Sequence, residues 1–283
     1  GRIVETRATS DFTEPDLIKC MVGREMTQIF PTIEKEVGEK ILLETKDVQW
    51  AGKVNGVSLS LRAGEIVGMY GLMGAGRTEL ANILFGIEQR DSGEITINGS
   101  TLSHISPRDC IRQGAAYITE DRLHEGLLMT KPIDDNQALV KMSDLINRFG
   151  VVNSREQDKV NRQSISDLRI KVADSATQMA NSLSGGNQQK VVFGKWVMSE
   201  PKIFILDEPT RGVDVGAKFE IYSIILELAK AGSAVLLISS EIEELIGTCD
   251  RILVMSGGRI TGDVPKVEFD QERILELALQ RAE

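Results

Sequence analysis

Two glycine-rich stretches, each placed to open a helix, constrain this 283-residue chain more than any other feature. The first runs Gly71-Leu72-Met73-Gly74-Ala75-Gly76-Arg77-Thr78 and the second Leu183-Ser184-Gly185-Gly186-Asn187. Glycines let a backbone turn tightly and aim successive N–H groups at one anion, and a helix start adds its positive dipole end. The run Ile203-Phe204-Ile205-Leu206-Asp207-Glu208 follows. Four apolar residues ending in two acids read as a buried strand. It delivers one carboxylate to a divalent cation and the next to the side of an attacking water. A single polyphosphate site does not need two such helix starts.

Composition excludes several alternatives. The net charge of −9 and pI near 5.0 disfavour binding to a nucleic-acid backbone, which calls for a basic face. Cys20, Cys110 and Cys249 are scattered, with no CxxC, and read as reduced, buried thiols with no disulfide or zinc framework. No apolar run approaches the roughly 18–20 residues that a bilayer-spanning helix needs. The chain starts at Gly1 without a signal-like segment and reads as a processed or excised cytoplasmic piece.

Its two ends resemble each other. Gly258-Arg259-Ile260 matches Gly1-Arg2-Ile3; in the same register Glu268-Phe269 falls on Asp11-Phe12, and Ile274-Leu275 on Leu17-Ile18. Residues 1–30 therefore read as the tail of a preceding copy of one domain. The Glu/Lys-rich stretch 31–40 reads as a linker. Strands are expected at 41–50, 57–61, 66–70, 94–98, 115–119, 202–206, 234–239 and 251–255, with helices at 78–85 and 218–230. Asn98-Gly99 marks a hairpin turn. Residues 121–182 read as an inserted helical subdomain, and 263–283 as a C-terminal helix closing the domain at 41–262. The alternation implies an α/β fold, a sheet with helices on both faces.

Read from the residues alone, Thr78 offers its hydroxyl to Mg²⁺, the backbone from Gly74 to Thr78 wraps the phosphates, Asp207 holds the metal and Glu208 is the general base. Together the three motifs resemble the ATP-binding cassette (ABC) ATPases, P-loop enzymes with a helical insert and an antiparallel β edge. There each ATP lies between the glycine loop of one copy and the signature of another. The resemblance implies ATP and Mg²⁺ as ligands, with Gly71, Gly74, Ala75, Gly76, Arg77, Thr78 and Glu79 around the phosphates. It implies Ser184, Gly185, Gly186 and Asn187 as the signature, with Asn187 where glutamine is commoner. Arg77 takes the lysine position, and a planar guanidinium reaches differently from an ammonium. Glu120 takes the place of a metal-ligating glutamine and Ser240 that of a γ-phosphate-contacting histidine; His104 and His124 lie elsewhere in the sequence. Asp214 closes a loop that meets the partner copy. Trp50 is placed to stack on adenine, or is simply packed.

The strings LSGGNQQK at 183–190 and DEPTRGVDVGAK at 207–218, with Glu120-Asp121-Arg122 and Ser239-Ser240-Glu241, narrow the likeness. They resemble the second cassette of bacterial importers of ribose and galactose type. The resemblance implies a tandem ATPase subunit at the inner face of the bacterial plasma membrane. Its partners are the preceding cassette, two transmembrane permease subunits and, indirectly, an extracytoplasmic sugar-binding protein, with no nucleic acid. In such second cassettes the nucleotide site is degenerate. Two other classes stand beside this reading. A tandem cassette protein acting on ribosomes or DNA is disfavoured by the acidic charge. A nucleotide-binding regulatory module without turnover is favoured by Arg77 and Ser240 and disfavoured by Glu208.

Overall fold

The computed structural model describes residues 5, 6, 8, 11 and 30–280. The expected tail of a preceding copy at 1–30 falls almost wholly outside the described residues, as does Cys20. Strands β1 (Ile41–Trp50), β2 (Val54–Arg62), β4 (Ser92–Ile97) and β5 (Ser100–Thr101) form an antiparallel sheet in the order β2-β1-β4-β5. In β2 Val57, Leu59 and Leu61 are buried while Ser58 and Arg62 are exposed, the alternation of a sheet with one buried face. Asn98 and Gly99, both with positive φ, turn β4 into β5, as the Asn-Gly pair requires.

The second sheet runs β10-β9-β3-β8-β7-β6, from β3 (Ile66–Gly71), β6 (Ala115–Ile118), β7 (Ile203–Asp207), β8 (Ala234–Ile238), β9 (Arg251–Ser256) and β10 (Arg259–Pro265). All pairings are parallel except the antiparallel edge β10 on β9. Every residue of β3, β6, β7 and β8 is buried, which is why these strands read as unbroken apolar runs and not as alternations. Because β8 lies between β3 and β7, the ends of three adjacent strands converge with that of β6 at one edge of the sheet. Ligands of open α/β sheets bind outside these carboxyl ends.

Helix α1 (Arg77–Leu84) leaves the glycine loop after β3, and α2 (Pro107–Arg112) carries a Ser106–Asp109 capping box. The insert after β6 holds a π-turn at Arg122–Gly126, then α3 (Ile133–Ala138), α4 (Met142–Leu145) and α5 (Ser154–Asp167). Its β content is two isolated bridges, Pro132 to Met179 and Ile146 to Val152. It docks on α6 (Gly185–Val197), where a Cβ on Gly194 would lie 2.6 Å from the Ser164 hydroxyl and 2.7 Å from the Gln137 amide. Only a glycine lets α3 and α5 approach so closely. Helices α7 (Val215–Lys230) and α8 (Ile242–Thr248) follow β7 and β8.

The C-terminal expectation needs correcting. Residues 259–265 are an edge strand, and α9 begins only at Gln271, running to Leu279 behind an Asp270 cap. Proline at 265 and the capping aspartate fix that start. Among the described residues no helix is long and apolar enough to cross a membrane, and Cys110 and Cys249 are buried free thiols.

Candidate functional site

The glycine loop is fixed by what surrounds it. Gly76 has φ of 99°, and a Cβ there would come within 2.5 Å of the Lys53 carbonyl, so only glycine fits between β3 and α1. No side chain caps α1, which leaves its first N–H groups free for a ligand. Gly74, Ala75, Gly76, Arg77, Thr78 and Glu79 line a cleft of about 150 Å³ together with Glu120, Asp207 and Glu208. Sequence positions far apart are thus brought to one place by the strand order.

Asp207, the last residue of β7, is 1% exposed, and neither of its carboxylate oxygens has a hydrogen-bond partner. Burial pushes its acid up to about 6; the nearby Thr78 hydroxyl and Arg77 oppose the rise, without completing a hydrogen bond of ordinary geometry. An orphaned buried carboxylate beside a hydroxyl suits a divalent cation. Among the described residues no three His, Cys, Asp or Glu side chains gather into a metal cage. A cation here would therefore rest on Asp207, Thr78 and the ligand's own oxygens.

Glu208 sits just past the strand at φ of 48°, a left-handed conformation that costs a non-glycine residue about 1 kcal/mol or more. Its N–H donates to the Ile238 carbonyl and its own carbonyl accepts from the Arg211 N–H, so strand β8 and the following loop hold the turn. The carboxylate lies 3.4 Å from the Arg77 guanidinium, both side chains being nearly buried. Burial raises the Glu208 acid, while hydrogen bonding to Ser240 and the charge of Arg77 oppose the rise. Ser240 is exposed after β8, beside the Glu208 carboxylate.

The remaining acids carry their own cations. Glu120 is paired with Arg211, and Glu79 lies 3.5 Å from Lys53. Lys53 also stands 5.4 Å from the centre of the Trp50 ring. Trp50 itself is half-buried at the end of β1; it packs against the core and does not line the cleft. Gly71 ends β3 at the base of the loop, where a Cβ would meet the Met255 carbonyl at 2.6 Å.

The signature lies outside this cleft. Ser184 precedes α6 without capping it; its hydroxyl instead accepts from the Asn187 amide, whose oxygen accepts from the Lys171 N–H. A Cβ on Gly186 would fall 2.4 Å from that of Ala217, so α6 and α7 start in direct contact. Asp214 caps α7, accepting from the Ala217 N–H at 3.0 Å. Arg122 joins these parts: it donates to the carbonyls of Arg211 and Gly212 and to the Gln188 side chain, beneath Gly185.

Sequence reasoning missed one buried assembly. Glu244, 2% exposed on α8, accepts from Thr210, Lys218, Tyr222 and Ser239, and these donors hold its acid below the ordinary range although burial opposes them. It fastens the loop after Glu208 to the end of β8. One glutamate within Glu241-Ile242-Glu243-Glu244 carries no mark in sequence that distinguishes it from its exposed neighbours.

A glycine loop facing a strand-end acid pair, with a helical insert ahead of a second helix that opens on glycines, defines an ATP-binding cassette. The chain belongs to the ABC transporter family, whose model matches residues 54–211. It is similar to the xylose import ATP-binding protein of Thermoanaerobacter pseudethanolicus, at 45% identity over 97% of this chain and 55% of that protein. It is also similar to a ribose import ATP-binding protein of Rubrobacter xylanophilus, at 43% identity over all of this chain and 56% of that protein. The chain thus spans about half the length of these relatives. In fold it matches a nucleotide-free ATP-binding cassette from an ABC transporter, with TM-score 0.70 and 20% identity over 86% of this chain and all of the other. A dimeric cassette bound to ADP and Pi gives TM-score 0.69 at 19% identity, over 81% of this chain and all of that one.

Proposed function

We propose that this chain is the second ATP-binding cassette of a tandem subunit that energises import of a monosaccharide such as ribose, galactose or xylose. It acts at the inner face of a bacterial plasma membrane, with two permease subunits and an extracytoplasmic sugar-binding protein as partners. The names of the relatives support the substrate class, and their doubled length supports a tandem arrangement. In this reading the chain's own cleft binds ATP with Mg²⁺ through the Gly74–Thr78 backbone, Thr78 and Asp207. The cation neutralises phosphate charge. Ser184, Gly185, Gly186 and Asn187 complete the site of the preceding cassette.

The observation that carries this reading is the separation of the two phosphate-binding helix starts. Gly185 opens a thirteen-residue helix that no side chain caps, yet no signature residue lines the glycine-loop cleft. A second N-terminus outside its own cleft suits a ligand held by another copy. Arg122 and the Asp214 cap keep that face ordered. The Arg77–Glu208 pair favours one further reading of the chain's own site, as a nucleotide-binding regulator of slow or absent turnover, because the expected base is occupied by a cation.

The test is sugar uptake by the full-length protein at matched expression. Ser184→Arg puts a bulky cation into the partner's phosphate position and abolishes uptake, while Glu208→Gln lowers it only modestly. Equal damage from both substitutions would show that the second site must turn over.

A further inference from the structure

The cleft holds an uneven set of charges. Among the described residues lining it stand four carboxylates, Glu79, Glu120, Asp207 and Glu208, against a single cation, Arg77. Glu79 and Glu120 are matched by Lys53 and Arg211 from outside the lining. Asp207 has no hydrogen-bond partner and lines the cleft. That leaves Glu208 and Arg77 to each other, 3.4 Å apart with 12% and 14% of their side chains exposed. A nearly buried guanidinium needs a counter-ion, since an unpaired charge there is strongly destabilising. The helix start of α1 is where a phosphate chain would lie. A terminal phosphate reaching Arg77 is then a second counter-ion for the same guanidinium, and the fork of arginine suits either anion.

Resting on the reading of the cleft as a nucleotide site, we infer that Glu208 serves there as the exchangeable counter-ion of Arg77, so that the pair determines selectivity for triphosphate over diphosphate. In the free chain Glu208 holds Arg77. ATP binds by transferring Arg77 from Glu208 to the γ-phosphate. ADP has no γ-phosphate at that position and leaves the pair closed. Glu208 is positioned for this by its left-handed turn, which its backbone bonds to Ile238 and Arg211 hold in place. Lysine has a compact point charge on a flexible stem and would release the carboxylate more readily, which gives the arginine a purpose beyond conserving charge.

The experiment is a double-mutant cycle on the 283-residue chain, reading dissociation constants for Mg-ATP and Mg-ADP by calorimetry, with circular dichroism as a check on folding. Glu208→Gln frees Arg77 and tightens Mg-ATP by roughly tenfold, the factor equivalent to about 1.4 kcal/mol, with a much smaller change for Mg-ADP. In an Arg77→Ala background the same Glu208→Gln change leaves the ATP-to-ADP ratio where it was. Arg77→Gln serves the same purpose if Arg77→Ala does not fold. A gain from Glu208→Gln that persists without Arg77 means simple relief of repulsion and overturns the inference, as does the absence of any gain. Either result leaves nucleotide binding standing. If neither the parent chain nor Glu208→Gln binds any nucleotide, the reading of the cleft falls and takes the inference with it.

Discussion

Asp207→Asn should stabilise the chain in the absence of metal, and the gain should depend on pH in a defined way. The acid of Asp207 stands at about 6 in the folded chain against an ordinary 3.8. At about 1.4 kcal/mol per pKa unit, ionised Asp207 costs about 3 kcal/mol at pH 8, because the chain must either hold a buried charge or give it up by unfolding. The sign follows from the raised value. Below the unfolded pKa the carboxyl is protonated in both states and nothing is lost; as pH rises through 6 the full cost appears. Only 1% of the residue is exposed, so solvent screening removes little of it. Asparagine keeps the shape without the charge. With EDTA present, Asp207→Asn should raise the melting temperature at pH 8 by about 6–12 °C, at about 2–4 °C per kcal/mol for a domain of this size. At pH 4.5 the gain should shrink to about 1 kcal/mol. Excess Mg²⁺ at pH 8 should narrow the difference by stabilising only the parent chain. An equal gain at both pH values, or none at pH 8, would refute the argument that an unneutralised carboxylate is poised there for a cation.

Lys195 is buried with its ammonium donating to the Gly126 carbonyl, and burial pulls its pKa down from 10.5 to about 8. Stability in urea should therefore climb by up to about 3 kcal/mol as pH rises from 8 to above 10, and Lys195→Met should flatten that rise. Glu244→Gln should cost about 2–4 kcal/mol at neutral pH, since it disturbs four donors at once; the loss should shrink as pH falls from the ordinary glutamate value through the lowered one of the folded chain, where the carboxylate is itself protonated. Gly186→Ala should cost about 1–3 kcal/mol, because its methyl group meets Ala217 and must push α6 from α7; chemical denaturation would measure it.

Much of the candidate site's local structure was legible from sequence because it depends on neighbouring residues. The glycine loop needs only consecutive glycines before a helix, and the apolar run ending in Asp207 and Glu208 announces both a buried strand and its chemical end. The unbroken hydrophobicity of β3, β7 and β8 marks parallel strands covered on both faces, and Asn98-Gly99 specifies its own turn. The same locality explains the error at the C-terminus. Edge strand β10 is Arg-Ile-Thr-Gly-Asp-Val-Pro, largely uncovered, so it lacks the apolar signal of its neighbours, and its last three residues fall inside the expected helix.

What the sequence determined, then, were the pieces whose physics is written in neighbouring residues: the glycine loop, the buried strand ending in Asp207 and Glu208, the second glycine-rich helix start and the turns. Only the tertiary structure decided how their charges are matched. Arg77 and Glu208 are 131 residues apart and meet because β8 sets β3 and β7 at the right spacing. Lys53 and Arg211 neutralise Glu79 and Glu120 from other loops, and Glu244 ties the end of β8 to the turn after Glu208. Ion pairing depends on distance and burial, and for residues on separate strands neither quantity exists until the sheet has formed.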